Sequence, residues 1–505
     1  MKNATANVVR GSASALVALF LPPFLTRSMS PDAFAAWSLI LQMSAYVGYL
    51  DFGIQTAIAR FIAHDTERKE AQHRDGIVST ALAFLILSGA IAFLGLVVLC
   101  FFLPQLFHQL HGSLLLQVRV ALLLVGGSLS IGLPASVFSG TFVGLQRNEV
   151  PAGIIGGSRL LNAALLILIV RQGGGIIAMG VAAAAVNLAS YAVQFVAYQR
   201  LTASLEPSMS LARERASRSY AKELIDYCGS LTIWAIGLIL VTGLDLTIVG
   251  AYRFDQVGYY AIAATVVNFL GGLFGALFSA MGSPAAVLHA REDKLGLGRM
   301  VSTGTRLGML LLLATGLPLI FGASRILNLW VGSVYAQHTA LLVQLLVTAH
   351  IIRLSVSPYT IAMIGTGEQR RIILVPLLEG AANLIASLIA GYYWGAAGVA
   401  FGTLIGALVS LAGHFFYNMR RSITVQLGIG EYLREAYLRP ILCATPVLIL
   451  GFSWNAFERA LTFWPLFFIV LLGSILTLIL VWYVGLTSIE RGRFIAMLTR
   501  RTSSN

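Results

Sequence analysis

The chain is predicted to be an all-α polytopic membrane protein of about 14 transmembrane helices, arranged as two parallel six-helix lobes plus two C-terminal helices. Three observations predict this class: an apolar composition, a charge alternation between loops, and an internal repeat. Of 505 residues, 57% are hydrophobic and only 11% are charged, against about a quarter charged in a soluble domain. Mean hydropathy is +0.82. The formal net charge of +13 suits nucleic acid in a soluble protein and cytoplasmic loops in a membrane protein. Its distribution decides for the membrane, so no nucleic-acid partner is expected.

Apolar runs long enough to cross a bilayer lie at 8–29, 33–59, 77–102, 116–142, 150–170, 176–198, 225–250, 257–288, 300–321, 340–364, 372–393, 396–418, 440–457 and 463–486. The last, FWPLFFIVLLGSILTLILVWYVGL, contains no charge. In the first, Pro22 and Pro23 remove two helix N–H donors, so a break or kink is expected there. Lys2 and Arg10 before the apolar run Ala13–Leu21 are reminiscent of a signal peptide. Pro22-Pro23, Arg27 and the thirteen further runs favour an uncleaved first helix instead.

Basic residues alternate from loop to loop. With the N-terminus in the cytoplasm, the inner loops carry most of the 34 Lys and Arg, including Arg60, Arg68, Lys69, Arg74, Arg370, Arg371, Arg420 and Arg421. The outer loops carry only Arg27, Arg171, Arg253, Arg325 and Arg459. This pattern places both termini inside. The expected division is an N-lobe at 1–200, a cytoplasmic linker at 201–224 and a C-lobe at 225–421. A connector at 422–439, two helices at 440–487 and a tail at 488–505 complete it. Segment Gly428–Arg439, GIGEYLREAYLR, is either an interfacial helix or a plain connector. Cys100, Cys228 and Cys443 are scattered in apolar segments and give neither a disulfide framework nor a metal spacing.

The stretch Pro31–Lys69 returns in weaker form 223 positions later, as Phe254–Glu292. Asp32 meets Asp255, Trp37 meets Tyr260, Gly48 meets Gly271 and Arg68 meets Arg291. Further on, Gln146-Arg147 meets Gln369-Arg370 and Asn162 meets Asn383. Six helices per copy is an even number, so both copies enter the membrane in the same sense, with a cavity expected between them.

Ionisable groups within a span cost at least about 2.5–3.5 kcal/mol on insertion scales and call for a partner or a cavity. Arg159 and Arg353 lie mid-span. Each is either half of an interhelical ion pair, with Glu379 a candidate partner for Arg159, or a cavity-lining cation whose guanidinium suits phosphate. Arg306, Arg27 and Arg119 lie nearer helix ends, where they either snorkel or join that cationic lining. Asp51, Asp245 and Glu379 are candidate proton or cation carriers, or counter-ions to the arginines. Asp51 has no acidic counterpart in the repeat, where Phe274 stands. Glycine pairs such as Gly126-Gly127 and Gly271-Gly272 permit close helix approach.

Enzyme chemistry finds no support. GxxxxGK[ST] is absent, no histidine pair has HExxH spacing, and no metal or bound cofactor is expected. The opening LPPFLTRSMSPDAFAAWSLILQMSAYVGYLDFGIQTAIARFIA resembles that of polysaccharide flippases of the Wzx type, in the multidrug/oligosaccharidyl-lipid/polysaccharide exporter superfamily. The shared features are a proline-containing first helix, an aromatic before helix two, an LDFGI-like stretch and a basic loop. Prolines in spans make helices bendable, and Pro22 and Pro23 are the candidate hinge. The resemblance implies a V-shaped cavity that alternates between faces. It implies an undecaprenyl-diphosphate-linked oligosaccharide carried from the cytoplasmic to the periplasmic leaflet of the bacterial inner membrane. Expected partners are that glycan, membrane lipids and a polysaccharide polymerase, for a monomer using H+ or Na+ if transport is coupled. Fourteen spans also resemble the lipid II flippase, but helices one and two carry only Arg10, Arg27 and Arg60. A cation-coupled multidrug exporter of the same fold would want a carboxylate in helix one, and none stands between Val8 and Arg27.

Overall fold

The computed structural model describes residues 2–202, 218–460, 463–492 and 496, and every regular element among them is helical. The expected linker therefore lies mostly outside the described residues, as does most of the tail. The chain divides into two units. The first holds Met1–Thr265, Trp330–Gly332 and Ser387–Val399, and the second holds Val266–Leu329, Ser333–Ala386 and Ala400–Asn505.

The helices up to Tyr252 are α1 (Lys2–Ser28), α2 (Pro31–Tyr49), α3 (Ile54–Arg68), α4 (Ala71–Leu106), α5 (Gly112–Gly132), α6 (Ala135–Gly144), α7 (Glu149–Arg171), α8 (Ile176–Leu201), α9 (Arg218–Leu238) and α10 (Asp245–Tyr252). Next come α11 (Val257–Ser279), α12 (Gly282–Ala290), α13 (Lys294–Phe321), α14 (Ala323–Val331), α15 (Ser333–Ser355) and α16 (Ser357–Gly365). The series ends with α17 (Leu374–Trp394), α18 (Ala396–Gly413), α19 (Arg439–Ala460) and α20 (Phe463–Leu480). Among the described residues, ten stretches are long and apolar enough to span, or 11 with the bent pair α2–α3. Shorter apolar helices lie at Ser14–Ser28, Ala135–Gly144 and Leu471–Gly485. Among the described residues, length and composition alone therefore identify ten or 11 of the expected fourteen as spans. The run at 225–250, for example, is interrupted by a π-helical turn at Ile239–Gly243. Segment Gly428–Arg439 is helical and runs into α19, with Tyr432 and Ala436 buried.

The helix breaks do not fall where the apolar runs and prolines suggest. The run 33–59 is not one helix: it stops at Tyr49, resumes at Ile54 and bends by 40°. Phe52 and Gly53 adopt φ of 51° and 77°, the left-handed region that stops a right-handed helix and that glycine alone enters cheaply. Conversely, α1 runs through Pro22 and Pro23 without interruption.

Large apolar side chains point outward, among them Phe101 at 72% and Phe452 at 80% exposure, as lipid-facing helices require. Inside the first unit, Ile58 and Ile62 of α3, Ile77 of α4, Phe142 of α6, Tyr198 of α8 and Leu224 of α9 form one core. There α6 and α3 approach backbone to backbone. A Cβ on Gly144 would stand 2.7 Å from the Ala59 carbonyl oxygen, and one on Gly140 2.8 Å from that of Gln55. The second unit repeats the contact between α16 and α12, where a Cβ on Gly365 would lie 2.5 Å from the Gly282 oxygen. Gly365 and Gly282 follow Gly144 and Ala59 by the same 221 to 223 positions that align the sequence copies.

In the second unit α13 anchors the C-terminal elements. Arg306, 4% exposed, pairs with Glu490 at 2.5 Å and with Glu435 at 3.5 Å. Beside it, the hydroxyls of Thr305 and Tyr432 are 2.9 Å apart. Glu490 also belongs to a capping box. Its Oε2 accepts the Thr487 N–H at 2.8 Å, while its own N–H donates to Thr487 Oγ1 at 3.4 Å.

These contacts yield two predictions. Gly144→Ala and Gly365→Ala should each destabilise the purified protein by about 1–3 kcal/mol, seen as a lower unfolding midpoint. A Gly153→Ala control, whose Cβ meets nothing within 4 Å, should stay near wild type, and three equal midpoints would refute the close approach. For Glu490, burial pushes the carboxyl up, but the Thr487 bonds and the Arg306 guanidinium outweigh it and hold it below its ordinary 4.5. A depressed folded value stabilises above the unfolded pKa, and that contribution is lost as pH falls through the folded value. Wild type should therefore lose stability as pH drops below about 4.5. Glu490→Gln should cost about 1–3 kcal/mol at neutral pH and flatten that slope, whereas parallel pH curves would show that the pair contributes nothing.

Candidate substrate and coupling site

In the first unit the opening stretch supplies polar groups at its bend and one turn above it. Asp51 sits in the α2–α3 break rather than inside a helix. Its Oδ2 accepts the Gln55 N–H at 3.3 Å, and the Ser136 hydroxyl of α6 lies beside the carboxylate. Further up α2, Gln42 and Tyr46 both reach the Gly243 carbonyl, at 2.9 and 2.6 Å. That oxygen belongs to the π-helical turn before α10, where ordinary helical bonding lapses. Because the Tyr46 hydroxyl donates its hydrogen to Gly243, Tyr46 Oη in turn accepts from Thr247 Oγ1 at 2.6 Å. Asp245 opens α10, is 7% exposed, and accepts from Tyr260 Oη at 2.9 Å. The result is an oxygen-rich patch in an apolar surrounding.

The same unit shows why α1 survives its prolines. Pro23 has no N–H for the Leu19 carbonyl, one turn back. The Trp330 indole N–H donates to that carbonyl at 2.7 Å, and the Trp330 carbonyl accepts from Arg27 Nη2 at 3.2 Å. One tryptophan thus grips α1 on both sides of the proline pair. Arg159, exposed on α7, donates from Nη1 to the Ser14 hydroxyl of α1. Arg119 of α5 donates from Nε to the Cys100 carbonyl of α4 at 2.8 Å.

In the second unit Arg353 of α15 donates from Nε to Glu379 Oε1 of α17 at 2.5 Å. Glu379, proposed from sequence as a partner for Arg159, is therefore engaged by Arg353. The guanidinium is only partly spent. Its Nη2 is buried with no hydrogen-bond partner among the described residues, as are both ring nitrogens of His350 one turn earlier. Gly271 gives the imidazole its room, since a Cβ there would lie 2.8 Å from His350 Nε2. Arg306, by contrast, is committed to Glu435 and Glu490.

Within the first unit the structure brings Asp245 together with Tyr260, and Arg27 with Trp330 at the Pro22-Pro23 segment; within the second it brings Arg353 together with Glu379. Sequence reasoning missed Gln42, Tyr46, Tyr260, Trp330 and His350. Gln42 and Tyr46 were legible as a polar i, i+4 pair inside an apolar run, and His350 as the neighbour of Arg353 at i, i+3. Trp330 carried no local signal.

Among solved structures, the lipid II flippase MurJ in an inward-closed conformation matches with a TM-score of 0.71 at 13% identity, covering 94% of this chain and 97% of that one. An inward-facing multidrug resistance transporter of the MATE family of the MOP superfamily gives 0.65, also at 13% identity, covering 85% and 99%. These likenesses establish the fold. In sequence, the chain is 21% identical over 461 residues to EpsK of Bacillus subtilis (strain 168), called an uncharacterised membrane protein, covering 90% of this chain and 88% of that protein. The family described as polysaccharide biosynthesis protein matches residues 1–285, more than half the chain. With helices long and apolar enough to cross a bilayer ten times or more, this multi-pass membrane protein belongs to the polysaccharide biosynthesis protein family.

Proposed function

We propose that the protein is a flippase that moves an undecaprenyl-diphosphate-linked oligosaccharide from the cytoplasmic to the periplasmic leaflet of a bacterial inner membrane, by alternating access and as a monomer. The observation that carries this reading is Arg353. A half-buried guanidinium within a span is oriented by Glu379, and its buried Nη2 is left unspent among the described residues, in a chain of a polysaccharide biosynthesis family. Such a donor is worth most to a phosphate oxygen in a water-poor site. Arg159, exposed on α7, is the second cation offered to the diphosphate, while the prenyl chain stays in lipid. Asp245, with Tyr260 beside it, is the group for a coupling proton or Na+. Asp51 at the α2–α3 bend serves the same exchange, and Pro22-Pro23 supplies the hinge in α1. Both termini lie in the cytoplasm, where the basic loops belong. A polysaccharide polymerase consumes the product on the far side. The fold shared with the lipid II flippase MurJ favours one second reading, that lipid II itself is the cargo.

Proteoliposomes test both readings. The purified protein should accelerate translocation of an undecaprenyl-diphosphate oligosaccharide above the rate of empty vesicles, and lipid II should compete poorly. No acceleration removes the proposal, and faster movement of lipid II selects the second reading. Replacing Arg353 by Lys keeps the charge opposite Glu379 but loses the fork of donors. Losing one charge-assisted bond of about 1.5–3 kcal/mol should slow flipping by about 10- to 100-fold with the protein still folded. An unchanged rate would take Arg353 out of the substrate path.

A further inference from the structure

On the first unit, the junction of α3 and α4 holds a cluster that substrate transport does not explain. The Asp65 carboxylate in the last turn of α3 is fully enclosed, its side chain 0% exposed. A buried carboxylate needs a cationic partner, yet its close neighbours are two imidazoles. His64 Nδ1 lies 2.9 Å from Oδ1, and His73 Nδ1 in the first turn of α4 lies 2.8 Å from Oδ2. Between them Lys69 takes a left-handed φ of 59°, which turns the chain so that the Glu70 N–H donates to the Asp65 carbonyl at 2.9 Å. One ligating atom each from Asp65, Glu70 and His73 then lie within 4.8 Å of one another.

The orientation of His73 is the telling detail. Its Nε2 lies 3.1 Å from Glu223 Oε2 of α9, so both ring nitrogens face carboxylates. A neutral imidazole carries one N–H. Either the ring carries both protons and donates to both carboxylates, or its one proton sits on Nε2 toward Glu223 and the Nδ1 lone pair and Asp65 oxygen are left to share a bound cation. Phe61 and Tyr220 close edge-on against the ring, with centroids 6.3 and 5.5 Å away, and hold it in this pose. A ligating histidine whose other N–H is fixed by a carboxylate is the usual second-sphere arrangement of a protein metal site.

We propose that Asp65, Glu70 and His73 bind a divalent metal ion of the zinc class, with Glu223 orienting the imidazole. One nitrogen and two carboxylates form a borderline donor set that suits zinc better than magnesium or calcium. Three protein ligands leave a position for water, and the ion ties the ends of α3 and α4 to α9.

The test uses the full chain in detergent, stripped with a chelator and titrated with Zn2+ against a competing indicator, with bound metal counted by mass spectrometry. Wild type should hold one zinc per chain, and zinc should raise its unfolding midpoint. His73→Gln should abolish the tight site. Glu223→Gln, which alters only the orienting group, should weaken it by about 10- to 100-fold. Glu70→Gln, at an exposed position, should also lose zinc and covers the case in which His73→Gln does not fold. Wild type that retains no zinc above background overturns the site, as does zinc bound equally by wild type and Glu70→Gln. Stabilisation by protons alone would place the positive charge on the His73 ring and exclude the ion.

Discussion

A backbone carbonyl or amide inside a bilayer has no water to turn to, and each one left unpaired costs several kcal/mol. Two irregularities among the described residues are shaped by that constraint. At Pro23 the orphaned Leu19 carbonyl takes an indole N–H. At the π-helical turn before α10, the Gly243 carbonyl takes an amide and a phenol from α2. Polar side chains within apolar helices thus serve first as replacements for missing backbone donors. Because those replacements come from other helices, they also fix which helices are neighbours.

The second constraint is steric. Where α6 meets α3 and where α16 meets α12, the backbones come so close that a single methyl group has no space. Glycine there trades conformational entropy for contact area between backbones, whose packing holds helices together when lipid is as apolar as leucine. The equivalent positions of the two contacts give the internal repeat a physical anchor that the aligned residues alone lacked. Around that shared frame the chemistry diverges. The first unit places hydroxyls around Asp245, and the second places Arg353 against Glu379.

Much of the fold was legible because apolar density and loop charge are dense, one-dimensional signals. The helix breaks were not, because a break depends on whether another helix can replace the lost donor. Pro22-Pro23 signals a break, but the residue that cancels it stands 311 positions from Leu19. At Asp51–Phe52–Gly53 the glycine was visible, yet the unbroken hydrophobicity around it argued for a continuous helix. Glu379 stood out in the sequence as a charge in need of explanation. Equivalence within the repeat suggested Arg159 as its partner, and within the second unit Arg353 engages it. Charge in a span is thus readable from sequence, whereas its partner is a fact of tertiary structure.

The Arg353–Glu379 pair also bears on how the chain is made. Synthesis proceeds from the N-terminus, so α15 reaches the membrane carrying an unmatched guanidinium before α17 exists. Entering lipid alone would cost α15 at least about 2.5–3.5 kcal/mol. Its counter-charge arrives only 26 residues later, on the second helix after it. The favourable course is for α15 to wait at the insertion site through α16 and to be released with α17 as a neutralised hairpin. Biogenesis of this part of the second unit is then governed by the order in which charges emerge, and hydrophobicity alone does not set it.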